Sequence, residues 1–332
     1  MTWFSFLKTK VNITPDMVNK RKQFMDVLTN VYKNQITHLN AKNSPFDEVG
    51  SKNDFLFEQY DKLRLKHIDD LETIEELKET RLSTIPPSEL EDTLSNLAAS
   101  KTRESIELSK NLQDAKGGEE LNWLNNNYNY KIHRFLTHYH FNRIQTSYEI
   151  NDYLSENKLR RPISVSQLVD SSIAFTGNIL SLNGYPIPNF VNAGKAQQAQ
   201  NNLNIECIPP HIQHILFELL KNATIPSLKT KTPVTISYYP HEEKPQEKVI
   251  IKLSDLGGGL KDESLIDKIF HFHFTTTPRN SKDEVNGFGM GLPLCKVFAL
   301  FNQGDLRLVN NPNVGVDLFI TVPRAKDDSI SK

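Results

Sequence analysis

The chain has few of the residues that build cross-linked or metal-bound scaffolds. Only two cysteines, Cys207 and Cys295, occur among 332 residues, and their separation fits neither a disulfide framework nor a zinc-ligand spacing. Both are expected to fill core space. No apolar run approaches the ~20 residues that a membrane-spanning helix needs, which argues against an integral membrane protein. Net charge is nearly absent: 39 basic residues stand against 40 acidic ones, so nothing global favours a nucleic-acid or lipid partner, although a local groove can still be basic. The sequence also has no internal repeat, no long low-complexity segment, no G-x-x-x-x-G-K-[ST] loop, and no H-R-D or D-F-G set. A P-loop enzyme and a standard protein kinase are thereby excluded.

What is present describes a soluble globular chain, 38% hydrophobic and 24% charged, long enough for two domains. The first half reads as long amphipathic helices. Leu28, Val31, Tyr32, Ile36 and Leu39 recur at helical spacing within 16–41, and Tyr60, Leu63, His67, Leu71, Ile74 and Leu77 do so within 54–80. Pro45 follows the first helix, and Pro86 and Pro87 end the second. A third helix is expected from Ser88, as N-cap, to the break at Gly117 and Gly118. A fourth carries Leu124, Tyr128, Ile132, Phe135 and Tyr139 and runs to about Ser155. Four such helices with short connections predict a bundle, with His67 as a core histidine.

After "RRPISV" at 160–165 the pattern changes. Runs rich in β-branched and aromatic residues at 234–239, 249–254, 306–309 and 316–322 alternate with helical patterns at 166–182, 211–223 and 291–302. "PHEEKPQEK" reads as an exposed hairpin loop between the first two strands. The expected fold is therefore α+β: a helical region at 1–158, an α/β region at 159–326, and a short tail at 327–332.

The helix at 211–223 is two-faced. Ile212, Ile215, Leu216, Leu219, Leu220 and Ala223 share one side, and His211, His214, Glu218, Lys221 and Asn222 share the other. His214, Glu218 and Asn222 stand at i, i+4 and i+8, so they form one stripe. Such a stripe is also what an ordinary solvated face with a helix-stabilising ion pair looks like. Two glycine motifs downstream give it a second meaning. In "SDLGGGL", Asp255 ends an apolar strand run, where its carboxylate can accept from an exocyclic amine, and Gly257 and Gly259 permit close backbone approach. In "NGFGMGLPLCKVF", Gly287, Gly289 and Gly291 precede a helix, where amides can cradle a phosphate. Each motif alone is also compatible with a tight turn.

Taken in order, "HILFELLKNA", "DLGGGL", "HFTTTPR" and "GFGMGLP" resemble the GHKL (Bergerat-type) ATP-binding superfamily, and within it the mitochondrial pyruvate dehydrogenase and branched-chain 2-oxoacid dehydrogenase kinases. The resemblance covers about 205–323; "HRFL" at 133–136 is faintly similar to that family's fourth helix. It implies an α/β sandwich that binds ATP with Mg²⁺. Asn222 would hold the metal, Asp255 would read the adenine amino group, and Gly257 and Gly259 would line its pocket. Residues 271–288 would form a lid, with Thr276 facing phosphate. Gly287, Phe288, Gly289, Met290, Gly291 and Leu292 would surround the triphosphate. Glu218 would be the general base toward a serine hydroxyl, tuned by His214, and Lys221 would neutralise charge beside it.

The resemblance further implies a serine kinase of the E1α subunit of pyruvate dehydrogenase, a possible lipoyl-domain partner on the E2 core, a homo- or heterodimer, and a mitochondrial matrix location. "MTWFSFLKTKVNITP" has two lysines and no acid, loosely like a presequence, but it lacks arginine and also reads as a solvated arm. Several positions depart from the family. Leu256 stands where arginine is common, Val316 replaces threonine in a G-T-D element, Glu149 takes the place of a histidine, and the long C-terminal tail is absent. These departures keep open a branched-chain substrate, to which "HFHFTT" leans, and a nucleotide-binding adaptor without efficient transfer. A histidine kinase fits less well, because His133, His138 and His140 are followed by Arg134, Tyr139 and Phe141 with no nearby proline. A chaperone or DNA-repair ATPase of the superfamily would need partner domains for which this chain has no room.

Overall fold

The computed structural model describes residues 14–40, 54–114, 129–155, 157–194, 203–272, 274 and 289–326. The chain forms two compact units, Met1–Asn157 and Lys158–Lys332. In the first, α1 (Pro15–Asn40), α2 (Asp54–Glu76), α3 (Pro87–Asp114) and α4 (Asn129–Leu154) are long helices. Helix α1 packs on α2 and α4, and α3 packs on the same two.

The predicted periodicity supplies the core, with Leu28, Tyr32, Leu63, Ile74 and Leu77 buried and Met25, Leu94 and Ile150 beside them. Helix α3 begins at Pro87, one residue before the expected cap, because proline's fixed φ suits a first helical position. Helix α2 closes in a π turn, Leu77–Arg81. Arg21 of α1 holds the chain just beyond that turn by donating to the carbonyls of Leu82 (3.2 Å) and Ile85 (2.9 Å). Leu124, Tyr128 and the Gly117–Gly118 break lie outside the described residues.

This unit also buries charge. Lys101, 1% exposed, pairs with Asp70 at 2.6 Å and Glu104 at 3.2 Å. His67 is buried nearby, its Nδ1 2.8 Å from the Leu63 carbonyl. Burial, reinforced by the Lys101 charge, lowers the histidine pKa to about 4.

The second unit is a mixed sheet with helices on one face. β1 (Arg161–Ser164) leads into α5 (Val165–Leu182), followed by β2 (Phe190–Asn192), β3 (Asn204–Cys207) and α6 (Pro209–Thr230). β4 (Val234–Pro240), β5 (Lys248–Asp255), α7 (Gly291–Phe301), β6 (Asp305–Asn311) and β7 (Gly315–Pro323) complete it. The five-stranded order is β2-β4-β5-β7-β6, with β2 parallel to β4 and the remaining pairs antiparallel; β1 and β3 form a separate ribbon. Alternate strand residues, among them Ile236, Ile251, Leu253, Leu318 and Ile320, meet the buried stripes of α5, α6 and α7 in one core. Cys207 and Cys295 are both buried free thiols there. The "PHEEKPQEK" segment joins β4 and β5 as an exposed hairpin connection.

Helix α6 extends past the expected end at Ala223 to Thr230, with Pro226 inside it. Proline removes a backbone donor. Thr224 and Thr230 add hydroxyl bonds to the carbonyls of Leu220 and Pro226, at 2.9 and 3.1 Å, and Lys231 ends the helix in a left-handed conformation.

Candidate functional site

The site is built where α6, the end of β5 and the start of α7 converge. The apolar side of α6 is buried as expected, and it carries Glu218 with it: this residue is 8% exposed, whereas Asn222, one turn on, is exposed. Lys221 Nζ sits 2.7 Å from Glu218 Oε1, with both side chains largely shielded, and lies 5.5 Å from the centre of the Phe217 ring.

Gly291 opens α7 directly against the other carboxylate oxygen. A Cβ built there would collide with Glu218 Oε2. The second glycine motif is therefore in contact with the acid of the first helix. A carboxylate at a helix N-terminus is also favoured by the unpaired amides and dipole there. Gly289, just before, has φ +71°, a conformation natural to glycine. Met290 and Leu292 flank this turn, and Leu292 packs against the core.

Two aromatic contacts fix α6 against α7. The His214 ring meets Phe298 edge-on at 5.1 Å, and His211 lies 4.5 Å from the same ring. Asn302, fully buried, accepts from the Ile208 amide at 2.8 Å and donates to the Phe298 carbonyl at 2.9 Å. The first turn of α6 is thereby bonded to the last turn of α7. No motif in the sequence pointed to Asn302.

Asp255 terminates β5, 8% exposed, opposite Val316 of β7 in the sheet register. Its Oδ1 accepts the Gly257 amide at 2.9 Å. Burial raises its pKa above the ordinary carboxylate value, with the backbone bonds from Gly257 and Val316 opposing that rise. Gly257 makes a close approach to Pro226 of α6: a Cβ there would overlap the proline ring. Gly258 and Gly259 have φ of +93° and +73°. Asn310 clamps the loop from β6, accepting the Leu260 amide at 2.7 Å and donating to its carbonyl at 3.0 Å. Gly315 backs Asp255, since a Cβ there would strike the Asp255 carbonyl. The sequence offered no signal for the Asn310 clamp, which depends on register across the sheet.

The structure thus brings Glu218, Lys221 and Gly291 into contact, with Asn222 on the same helix and Asp255 with Gly257 against its far end. Leu256, the position of a family departure, is 47% exposed. Thr276, Gly287 and Phe288, with most of the expected lid, lie outside the described residues. Among the described residues no helix is long and apolar enough to cross a membrane.

A two-layer sandwich with an acid-bearing helix, a strand-end aspartate and a glycine turn opening a helix defines a nucleotide-binding domain of the GHKL type. In agreement, residues 207–326 match the family described as histidine kinase-, DNA gyrase B- and HSP90-like ATPase. The chain is a relative of the pyruvate dehydrogenase kinases. It is similar to isozyme 3 of pyruvate dehydrogenase (acetyl-transferring) kinase, mitochondrial, from Homo sapiens, at 31% identity over 153 residues, 41% of this chain and 36% of that protein. It is likewise similar to human isozyme 4, at 26% over 232 residues (61% and 54%), and mouse isozyme 1, at 29% over 146 residues (41% and 33%). These matches span between about a third and a half of the relatives' own length.

Proposed function

We propose that this chain is an ATP- and Mg²⁺-dependent protein serine kinase that phosphorylates, and so inactivates, the E1α subunit of the mitochondrial pyruvate dehydrogenase complex. The observation that carries the reading is the contact between Gly291, at the start of α7, and the Glu218 carboxylate, because it brings a candidate phosphate cradle and a candidate base together. Phosphoryl transfer needs positioning and charge neutralisation more than covalent chemistry. The residues fit such a group: a short glycine turn faces the acid, and an exposed amide lies one helical turn away.

In this reading, bound MgATP supplies an electrophilic phosphoryl group with part of its charge neutralised. Glu218 accepts the proton of the substrate serine hydroxyl, and Asn222 holds the metal by its amide oxygen. Lys221 supplies positive charge, and His214 orients and tunes Glu218. Asp255 accepts from the adenine amine, with Gly257 and Gly259 shaping that pocket. Gly287, Phe288, Gly289, Met290, Gly291 and Leu292 enclose the phosphates, with Thr276 facing them from the lid. The domain carrying this machinery spans 159–326. Residues 1–158 form a four-helix bundle that docks partners, among them the lipoyl domain of E2, and the kinase acts as a dimer in the mitochondrial matrix.

The test is phosphotransfer with labelled ATP to the pyruvate and branched-chain E1α subunits side by side, with Glu218→Gln as control. Labelling of pyruvate dehydrogenase E1α that Glu218→Gln lowers by roughly 100-fold or more, with ATP still bound, is expected. Transfer only to the branched-chain E1α would shift the substrate assignment. ATP binding without transfer to either would favour an adaptor, to which exposed Leu256 and the valine opposite Asp255 lend support.

A further inference from the structure

Both oxygens of the Glu218 carboxylate have close neighbours in this structure. Oε1 receives the Lys221 ammonium at 2.7 Å, and Oε2 lies against Gly291 at the start of α7. The ammonium holds one oxygen of the base, and the Gly291 backbone crowds the approach to the other. The pair is also mostly withdrawn from water, with the two side chains 14% and 11% exposed. Taking such charges out of water offsets much of their attraction, so stability alone gives little reason to keep them there.

Lys221 is suited to change partners. Its ammonium sits beside the same carboxylate that touches the first turn of α7, where anions are favoured. An incoming triphosphate carries several negative charges, against the single charge of Glu218, and it would approach that turn. The flexible lysine stem lets the cation move while its backbone stays fixed in α6.

We propose that Lys221 is a nucleotide-operated latch: paired with Glu218 it masks the base, and it leaves Glu218 for the phosphates when nucleotide enters, so that proton acceptance begins only in the loaded site. The latch rests on the ATP-dependent kinase reading. It explains why a lysine stands three residues after the base on the same helix, and it disfavours proton abstraction in an empty site.

The experiment is a double-mutant cycle on the full chain, reading MgATP affinity by calorimetry for the wild type, Glu218→Gln, Lys221→Met and the double variant. The latch predicts that Glu218→Gln tightens binding about threefold or more, because Lys221 no longer has to be taken from a carboxylate. Lys221→Met weakens binding about tenfold, and adding Glu218→Gln to it changes nothing further. In isotope-labelled lysine spectra, the ammonium signal that disappears in Lys221→Met should move when MgATP is added to the wild type. Equal tightening by Glu218→Gln with and without Lys221 would reduce the effect to general repulsion and overturn the latch. So would a Lys221 signal that stays in place while ATP binds. Failure of the wild type to bind MgATP would overturn the kinase reading and the latch together. A normal affinity with an additive cycle would sink the latch alone.

Discussion

At the scale of single residues, the glycines make the sharpest test, because each stands against a different kind of neighbour. Gly291 faces a flexible carboxylate, so Gly291→Ala is expected to fold but to displace Glu218. Its melting temperature should stay near the wild type while phosphotransfer falls by roughly 100-fold. Gly257 faces the rigid ring of Pro226, which cannot swing aside, so Gly257→Ala should cost ~1–3 kcal/mol in a denaturant titration. Asp255 makes a test by pH. In the proposed reading its ionised form accepts the adenine amine, and burial raises its pKa. ATP affinity should therefore fall on acidification from a higher pH than an ordinary aspartate would give. A pH series of dissociation constants checks this, with Asp255→Asn removing that component. The residues themselves were legible in the sequence as motif members. The pairing of Gly257 with Pro226 was not, since glycine's freedom there answers to a neighbour far along the chain.

At the scale of elements, what was legible followed length and periodicity. Helices α1 and α2, of 26 and 23 residues, repeat an apolar stripe many times, and Leu28, Val31, Tyr32, Leu39, Leu63, Ile74 and Leu77 are buried where the spacing put them. β1, β2 and β3, of four, three and four residues, are too short to carry a pattern, and only pairing partners make them strands. Helix α6 runs past its expected end at Ala223 and carries Pro226, which packs on Gly257, inside it. The join between α6 and α7 was wholly hidden, because a lone asparagine after a helix reads as a C-cap. In the fold, Asn302 satisfies the buried Ile208 amide as well as the Phe298 carbonyl. Asn302→Ala should destabilise the chain by ~1–3 kcal/mol through the orphaned amide. It should also lower phosphotransfer more than ATP affinity, since the distance from Glu218 to the start of α7 depends on that join. Urea melts and paired affinity and rate measurements would separate the two effects.

At the scale of the molecule, each of the two units buries a titratable group, His67 in the first and Asp255 in the second, and burial gives these two residues opposite acid responses. Among the described residues, the core of the second unit draws on residues between Ile163 and Val322, and that of the first on residues between Phe24 and Leu154. In the first, His67 has a folded pKa of about 4, against 6.5 ordinarily. The unfolded chain therefore takes up a proton that the folded unit refuses. Stability from this residue is complete above pH 6.5 and lost as pH falls toward 4, by roughly 3 kcal/mol in all. Asp255 in the second unit has a raised pKa, so the folded state binds its proton more tightly and acid relieves the cost of burying its charge. Acidification from pH 7 to 5 should thus lower the melting of the helical unit more than that of the ATP-binding unit, where the lowered pKa of His271 acts in the same direction but by less. Differential scanning calorimetry of the whole chain is expected to resolve two transitions whose separation grows over that range. His67→Gln should flatten the pH dependence of the first transition without moving the second. A single transition that shifts as one, in both proteins, would mean that the two cores melt together and that His67 does not set the acid limit.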